Sequence, residues 1–249
     1  MVLRHTATAA ERLAQRGLHA VGLEVSRYRP DDEVVTPMGV NALQDIRTLL
    51  ASVPFPTVFD VGANVGQSVT AFRELLPCSI LHSFEPGPTA FRQLEANTLG
   101  LENVQLVNAG VGSVTGTQLL IENDHSDMSS LLRPAEAAWG SIVGETEVAI
   151  TTLDDYCRAA GVDRIDLLKI DTQGYELEVL RGAASLMDAE RIRLVYMEVT
   201  FSDMYEGLPS FDVLYRLLLD HGFGLVALYN FVMQPSLVAA WCDALFALS

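Results

Sequence analysis

Short apolar runs alternate with segments of helical period over most of the chain, and this alternation restricts the fold more than any other feature. The predicted strands span residues 57–61, 79–85, 104–108, 166–170, 193–199, 224–229 and 244–248. The predicted helices among them span residues 67–75, 89–99, 153–160, 176–186 and 211–221. Such alternation is typical of a mostly parallel sheet whose strands are joined by crossover helices. We therefore predict an α/β fold with a doubly wound sheet.

Two further helices are predicted before the first strand, over about residues 3–25 and 40–52. We interpret residues 1–53 as a helical extension that caps the site, and residues 54–249 as the main domain.

The alternation lapses between the third and fourth predicted strands. Two extra short strands, at residues 117–122 and 147–152, flank a polar, serine-rich loop at residues 123–133. Because long loops inside compact domains often carry function, this insertion is a candidate substrate or lid element.

Charge and cysteine usage exclude several classes of protein. The 32 acidic and 16 strongly basic residues give a formal net charge of -16, which repels a phosphate backbone, so we predict no nucleic-acid partner. The three cysteines are scattered, without the spacing of a disulfide framework or a zinc site, which favours a reducing cytoplasm.

The N-terminus lacks the apolar core of a signal peptide, and the longest apolar stretch is too short to span a bilayer. We expect a cytoplasmic protein without an integral membrane segment.

The segment FDVGANVGQ, at residues 59–67, predicts a ligand site at the end of the first strand. It lacks the GxxxxGK[ST] pattern of a phosphate loop and the GxGxxG pattern of a dinucleotide site. Gly62 and Gly66 would let a ligand approach the backbone, and Asp60 would meet a cationic amino group. S-adenosylmethionine has that charge pattern. A nicotinamide-dependent oxidoreductase is the rival class of enzyme.

Glu85 ends the second predicted strand, 25 positions after Asp60 (85 - 60). A carboxylate at that point can accept hydrogen bonds from both hydroxyls of a ribose. Glu85 therefore indicates a nucleoside without identifying which one.

Several motifs, taken in order, resemble those of one family. They are FDVGANVGQ, SFEP at residues 83–86, NAGVG at 108–112, SSLL at 129–132, TLDDY at 152–156, KIDTQGYELEVLRGA at 169–183 and CDALF at 242–246. Together they are similar to the FkbM family of S-adenosylmethionine-dependent methyltransferases, over about residues 54–249.

The resemblance implies a class I methyltransferase (Rossmann-like) fold, with a seven-stranded sheet whose last strand is antiparallel. It also implies O-methylation of sugars or of natural-product hydroxyls. By matching motif positions, Asp60, Gly62, Asn64 and Gly66 would line the methionine end of the cofactor and Glu85 its ribose. Asn108 and Ala109 would lie near the adenine.

The catalytic base is argued from position along the sheet. Asp171 ends the fourth predicted strand, next to the first, and is our first candidate, with capping of the following helix as its alternative. Glu198 ends the fifth strand, as a second base or a ligand for substrate hydroxyls, and His125 in the insertion ranks third. Lys169 is expected to form a structural ion pair. A divalent metal held by the two carboxylates is an alternative that we do not predict.

Together these features predict an S-adenosylmethionine-dependent O-methyltransferase that releases S-adenosylhomocysteine. The predicted acceptor is a sugar hydroxyl of a glycosylated natural product or glycolipid. The alternatives are a non-sugar natural product, such as a polyketide hydroxyl, or a catalytically degenerate domain that only binds the cofactor. The sequence leaves open whether the protein forms a homo-oligomer.

Overall fold

The structure is a computed structural model that describes residues 37–136 and 138–249. Residues Met38–Ser249 form one compact unit. The helix predicted over about residues 3–25 lies outside the described residues, and the cap that we predicted for residues 1–53 stays a prediction.

Within the described residues, the strands are β1 (Thr57–Val61), β2 (Ile80–Phe84), β3 (Val104–Val107), β4 (Gly110–Val111), β5 (Gly116–Asn123), β6 (Ile142–Thr151), β7 (Ile165–Ile170), β8 (Ile192–Thr200), β9 (Phe223–Met233) and β10 (Ala239–Leu248). The helices there are α1 (Ala42–Leu49), α2 (Gln67–Leu75), α3 (Pro88–Asn97), α4 (Leu153–Ala160), α5 (Glu176–Arg181), α6 (Ala184–Asp188) and α7 (Phe211–Asp220). None of these helices is long and apolar enough to cross a membrane.

Seven strands form the central sheet, in the order β3-β2-β1-β7-β8-β10-β9. Strands β3, β2, β1, β7 and β8 pair in parallel, whereas β10 is antiparallel to both β8 and β9. The predicted doubly wound α/β fold, with an antiparallel last strand, is confirmed. Because the chain order reverses between β1 and β7, the carboxyl ends of these two strands open a crevice in which ligands of such folds bind.

Apolar side chains cover both faces of this sheet. On one side, Phe59 and Leu168 belong to a core cluster with residues of α4, α5, α6 and α7. On the other side, Val58 and Leu167 belong to a cluster with residues of α1, α2 and α3. Neighbouring residues of β1 and β7 thus point to opposite faces, and both faces are buried, which explains the continuous apolar runs of these strands.

The helix predicted over residues 176–186 is two helices, α5 and α6, separated near Gly182. A Cβ atom at Gly182 would lie 2.0 Å from the backbone oxygen of Gly112. At Gly182, between α5 and α6, the backbone therefore packs directly against the residue that follows β4.

The insertion forms a second, three-stranded sheet in the order β4-β6-β5. Strands β5 and β6 pair antiparallel and are both longer than predicted, and the short β4, which the sequence did not predict, adds in parallel to β6. The loop between β5 and β6 contains a 3₁₀ turn at Ser126–Met128. The candidate lid element is therefore anchored on a sheet of its own.

Candidate active site

A cavity of about 530 Å³ lies beyond the carboxyl ends of β1, β2, β7 and β8. Six of the site residues that the sequence predicted line this cavity, namely Gly62, Asn64, Glu85, His125, Asp171 and Glu198. The other four, Asp60, Gly66, Asn108 and Ala109, are not among its lining residues. The structure thus brings together residues that are up to 136 positions apart in the chain (198 - 62).

Gly62 and Gly66 have left-handed backbone conformations, with φ of 81° and 99°. A Cβ atom at Gly62 would lie 1.8 Å from the backbone oxygen of Asp171, so this glycine allows the turn after β1 to pass against the end of β7. A Cβ atom at Gly66 would lie 3.0 Å from Leu94 in α3. Both glycines serve contacts within the chain, and only Gly62 also reaches the cavity.

Glu85 is held by two backbone groups. Its Oε2 atom accepts a hydrogen bond from the N–H of Asn64 at 2.9 Å, and its Oε1 atom accepts one from the N–H of Gly87 at 2.7 Å. Burial raises the pKa of Glu85 to about 7, although these two N–H groups act in the opposite direction. Each oxygen keeps a further lone pair for a ligand, because a carboxylate offers about four acceptor positions.

Asn64 and Asn108 support the loops beside Glu85 in different ways. Asn64 has a φ of 46° and lines the cavity, where its buried Oδ1 atom accepts no hydrogen bond from any described residue. The side-chain amide of Asn108 donates to the backbone oxygens of Glu85, at 2.8 Å, and Pro86, at 3.2 Å. Asn108 therefore shapes the loop, while its neighbour Ala109 is buried behind it.

Asp60 is completely buried and forms an ion pair with Lys169, at 3.1 Å between Oδ1 and Nζ. The same Nζ atom lies 3.5 Å from Oδ2 of Asp171 and donates to the backbone oxygen of Gly62 at 3.0 Å. Burial alone would lower the pKa of Lys169, but the charges of Asp60 and Asp171 outweigh it and raise this pKa. Asp60 therefore pairs with Lys169 of the same chain. This is the structural ion pair that we expected for Lys169.

The turn after β7 is capped by Glu176. Its Oε1 atom accepts hydrogen bonds from the N–H groups of Thr172 and Gly174, both at 3.1 Å, and from the hydroxyl of Thr172 at 3.0 Å. Because Glu176 satisfies these donors, the carboxylate of Asp171 is not used as a cap. Instead Asp171 lines the cavity.

Gln173 joins the two carboxyl groups at this end of the cavity. Its Nε2 atom donates to Oδ1 of Asp171 at 3.0 Å and to Oε1 of Glu198 at 3.2 Å. The hydroxyl of Tyr205 donates to Oε1 of Gln173 at 2.9 Å and so orients the amide. The sequence analysis assigned no role to Gln173 or Tyr205. The one feature that could have indicated a role for Gln173 is its position two residues after Asp171.

Burial, together with the negative charge of Asp171, raises the pKa of Glu198 to about 9. A carboxyl group with this pKa carries a proton at neutral pH and cannot accept another there. In this protonated form Glu198 can donate a hydrogen bond to a hydroxyl group in the cavity.

The insertion reaches the cavity through residues 125–129. The N–H of His125 donates to Oδ1 of Asn123 at 2.9 Å, which fixes the start of the 3₁₀ turn. The hydroxyl of Ser130 donates to the backbone oxygen of Gln173 at 2.7 Å. The lid segment is thus tied to the loop that carries the carboxyl groups.

Within residues 37–136 and 138–249, no group of three or more histidine, cysteine, aspartate or glutamate side chains is arranged to hold a metal ion.

Comparison with known proteins adds sequence evidence. The family described as "Methyltransferase FkbM domain" matches residues 60–225. The 31-O-demethyl-FK506 methyltransferase FkbM of Streptomyces tacrolimicus is 31% identical over 200 residues, which cover 70% of this chain and 75% of that protein. The 2-O-methyltransferase NoeI of Sinorhizobium fredii is 28% identical over 185 residues, covering 66% of this chain and 75% of that protein. Methyltransferase sdnD of Sordaria araneosa is 28% identical over 207 residues, covering 71% and 77%.

Proposed function

The chain belongs to the FkbM family of methyltransferases, and from this premise we propose that it transfers a methyl group from S-adenosylmethionine to a hydroxyl oxygen of a small acceptor. The observation that carries the proposal is a single cavity lined by Glu85 and by the linked carboxyl groups of Asp171 and Glu198. The first carboxylate suits a nucleoside, and the other two suit an acceptor hydroxyl.

The residues around Glu85 fit the cofactor. The carboxylate keeps acceptor capacity toward ribose hydroxyls, because each oxygen accepts only one hydrogen bond from the chain. Asn64, at the same wall, has a buried side-chain oxygen without a donor among the described residues, and a bound donor there would be stabilising. We propose that Asp60, Gly66, Asn108 and Ala109 support the cofactor site from behind rather than by direct contact.

S-adenosylmethionine would supply a methyl group bound to a positively charged sulfur. The acceptor oxygen would take this methyl group, and the sulfur would leave as S-adenosylhomocysteine. We propose that Asp171 accepts the proton of the acceptor hydroxyl. Gln173 and Lys169 hold the Asp171 carboxylate in place from two sides. Much of the rate acceleration of such a reaction comes from holding the two reactants in line.

The acceptor that we propose is a sugar hydroxyl of a glycosylated natural product or a glycolipid. Glu198 supports this choice, since a protonated carboxyl group can both donate to and accept from neighbouring hydroxyls. A relative named as a 2-O-methyltransferase is consistent with a hydroxyl acceptor. The alternative is a non-sugar natural-product hydroxyl, as the name of the relative that acts on 31-O-demethyl-FK506 illustrates.

We also propose that the reaction takes place in the cytoplasm. The free thiols of Cys78, Cys157 and Cys242 support this location, because none of them forms a disulfide.

The cofactor is tested by thermal unfolding of purified protein that has been stripped of bound ligand. We expect S-adenosylmethionine and S-adenosylhomocysteine to stabilise the protein, by about 2.7 kcal/mol at 100 times the dissociation constant. NAD and ATP should not stabilise it. Stabilisation by NAD alone would favour an oxidoreductase, and cofactor binding without methyl transfer to any hydroxylated acceptor would favour the degenerate domain.

A further inference from the structure

The chain contains two tryptophans, Trp139 and Trp241, and both line the cavity. Their ring centroids are 5.3 Å apart, with the planes at 76°, so one indole packs its edge against the face of the other. Trp139 is 58% exposed. A tryptophan that only stabilised the core would be mostly buried, whereas this pair leaves aromatic surface available at the cavity.

Trp241 is placed by an irregularity in the sheet. Its pairing with β9 shifts register both before and after it, at Ala239/Trp241 and at Trp241/Asp243. Such bulges are frequent beside active sites, where they redirect a side chain. On the other side of β10, Trp241 pairs with Thr200 and Asp243 pairs with Glu198. Because residues two apart in a strand share a face, and residues that pair directly across two strands do too, Trp241 lies on the same face of the sheet as Glu198.

Trp139 comes from the insertion, on the far side of the 3₁₀ turn. Its backbone oxygen accepts a hydrogen bond from the side-chain amide of Asn123 at 2.8 Å. Asn123 is buried at the end of β5, and its Oδ1 atom also binds the N–H of His125. One asparagine thus fixes the backbone at both His125 and Trp139, so the aromatic pair joins the insertion to the main sheet.

The cavity therefore combines aromatic surface with hydrogen-bonding carboxyl groups at Asp171 and Glu198. A sugar ring matches this combination, because its C–H face can pack on an indole while its hydroxyls bind carboxyl groups. An open-chain polyol has the hydroxyls but no ring face. An apolar ring has the face but offers no hydroxyl to the carboxyl groups of Asp171 and Glu198.

We propose that Trp139 and Trp241 form a stacking wall that binds a sugar ring of the acceptor and selects cyclic sugars over open-chain polyols. This inference rests on the proposed function, since it assigns the acceptor half of the same cavity.

The two tryptophans make the test direct, because all of the protein's tryptophan fluorescence arises at this wall. With S-adenosylhomocysteine bound, the protein is titrated with methyl β-glucoside, methyl β-galactoside, methyl α-mannoside and, as the open-chain control, sorbitol. We expect a saturable change in tryptophan emission with at least one glycoside and none with sorbitol. The same change with sorbitol, or no saturable change with any glycoside, overturns the proposal.

Variants then test whether glycoside binding depends on the two tryptophans rather than on the rest of the cavity. Trp139→Ala and Trp241→Phe should each weaken binding of the responding glycoside, by about tenfold for the alanine variant, and raise its KM for methyl transfer accordingly. The dissociation constant of S-adenosylhomocysteine, measured by calorimetry, should stay unchanged in both. Phe231→Ala removes an exposed aromatic ring outside the cavity and is the matched control.

The outcomes distinguish the two proposals. If the wild-type protein fails to bind S-adenosylhomocysteine, the proposed function is wrong. If it binds S-adenosylhomocysteine and a glycoside, but Trp139→Ala binds that glycoside as tightly as the wild type, the stacking wall is wrong and the proposed function stands. Thermal unfolding of each variant verifies that it is folded.

Discussion

The carboxylate of Asp171, which we propose as the base, does not cap the turn that follows β7, because Glu176 accepts the hydrogen bonds of that turn. We expect Asp171→Asn to lower the rate of methyl transfer by about 10²- to 10⁴-fold, since the amide cannot accept the hydroxyl proton. The dissociation constant of S-adenosylhomocysteine should not change. Initial rates and calorimetry measure the two effects, and the exposed Asp163→Asn is the matched control. Full activity of Asp171→Asn would remove it from the mechanism.

Lys169 neutralises the carboxylate of Asp60, which has no access to water. We expect Lys169→Met to lower the free energy of unfolding by about 3–5 kcal/mol, because it leaves the buried charge of Asp60 without a cation, and only the hydroxyl of Ser68 still donates to it among the described residues. Urea denaturation at neutral pH measures the change. Arg158→Met removes one side of an exposed ion pair and should leave the stability nearly unchanged. Equal stability of both variants would show that Lys169 is not needed to keep Asp60 ionised.

Glu198 makes the stability of the protein depend on pH. Burial and the charge of Asp171 raise its pKa from 4.5 to about 9. Between these values the folded chain holds a proton that the unfolded chain releases, so this group's contribution to stability is lost as pH rises through the window.

We therefore expect Glu198→Gln to gain thermal stability relative to the wild type as pH increases from about 6 to about 9. Unfolding midpoints of both proteins across this range measure the difference. Glu206→Gln, at an exposed position, is the matched control. A difference that does not vary with pH would contradict the raised pKa of Glu198.

At the scale of elements, α1 is part of the core of the unit Met38–Ser249. Asn41 caps it by accepting a hydrogen bond from the N–H of Gln44 at 3.0 Å, and the helix packs Ile46 into the same cluster as Val58 of β1. The helix α1 and the central sheet therefore share one core within the unit Met38–Ser249.

We expect Ile46→Ala to lower the free energy of unfolding by about 2–5 kcal/mol, because it leaves a cavity at a fully buried position. Leu43→Ala, in the same helix but 36% exposed, should cost clearly less. Urea denaturation compares the two. If both substitutions cost the same, α1 is not held by the packing of its buried face.

At the scale of the whole molecule, the net charge of -16 restricts the partners. This excess of acidic residues repels the phosphate backbone of a nucleic acid. We expect no binding of transfer RNA in a filter-binding assay, even at low salt, where such attraction is strongest. A basic RNA-binding protein is the positive control. Retention of RNA that decreases with added salt would contradict this prediction.

The local sequence was enough to predict most of the fold. The observed bounds of β1, α2 and α4 equal the predicted ones, because apolar runs and helical periods report directly on which faces are buried. The strands β9 and β10 extend further than predicted, since their distal ends pair with each other rather than following an apolar pattern.

The sequence predicted those cavity residues that lie near the carboxyl ends of strands, close to the point where the strand order reverses. Glu85, Asp171 and Glu198 reach the cavity because the carboxyl ends of parallel strands meet at one edge of the sheet. Asp60 lies one residue before the end of β1, but its carboxylate contacts Lys169 inside the molecule. No pattern in the chain indicates whether a buried acid will meet a ligand or a neighbouring strand's lysine.

By itself, then, the sequence determined the fold class, the family and the edge of the sheet that carries the site, because these depend on periodicity and on short motifs. The tertiary structure alone decided that Gln173 links Asp171 to Glu198 and that Trp139 meets Trp241. The two tryptophans are 102 positions apart (241 - 139), and the insertion and a sheet irregularity must both form before they touch. Contacts of this kind depend on how separate elements pack, which a local pattern does not encode.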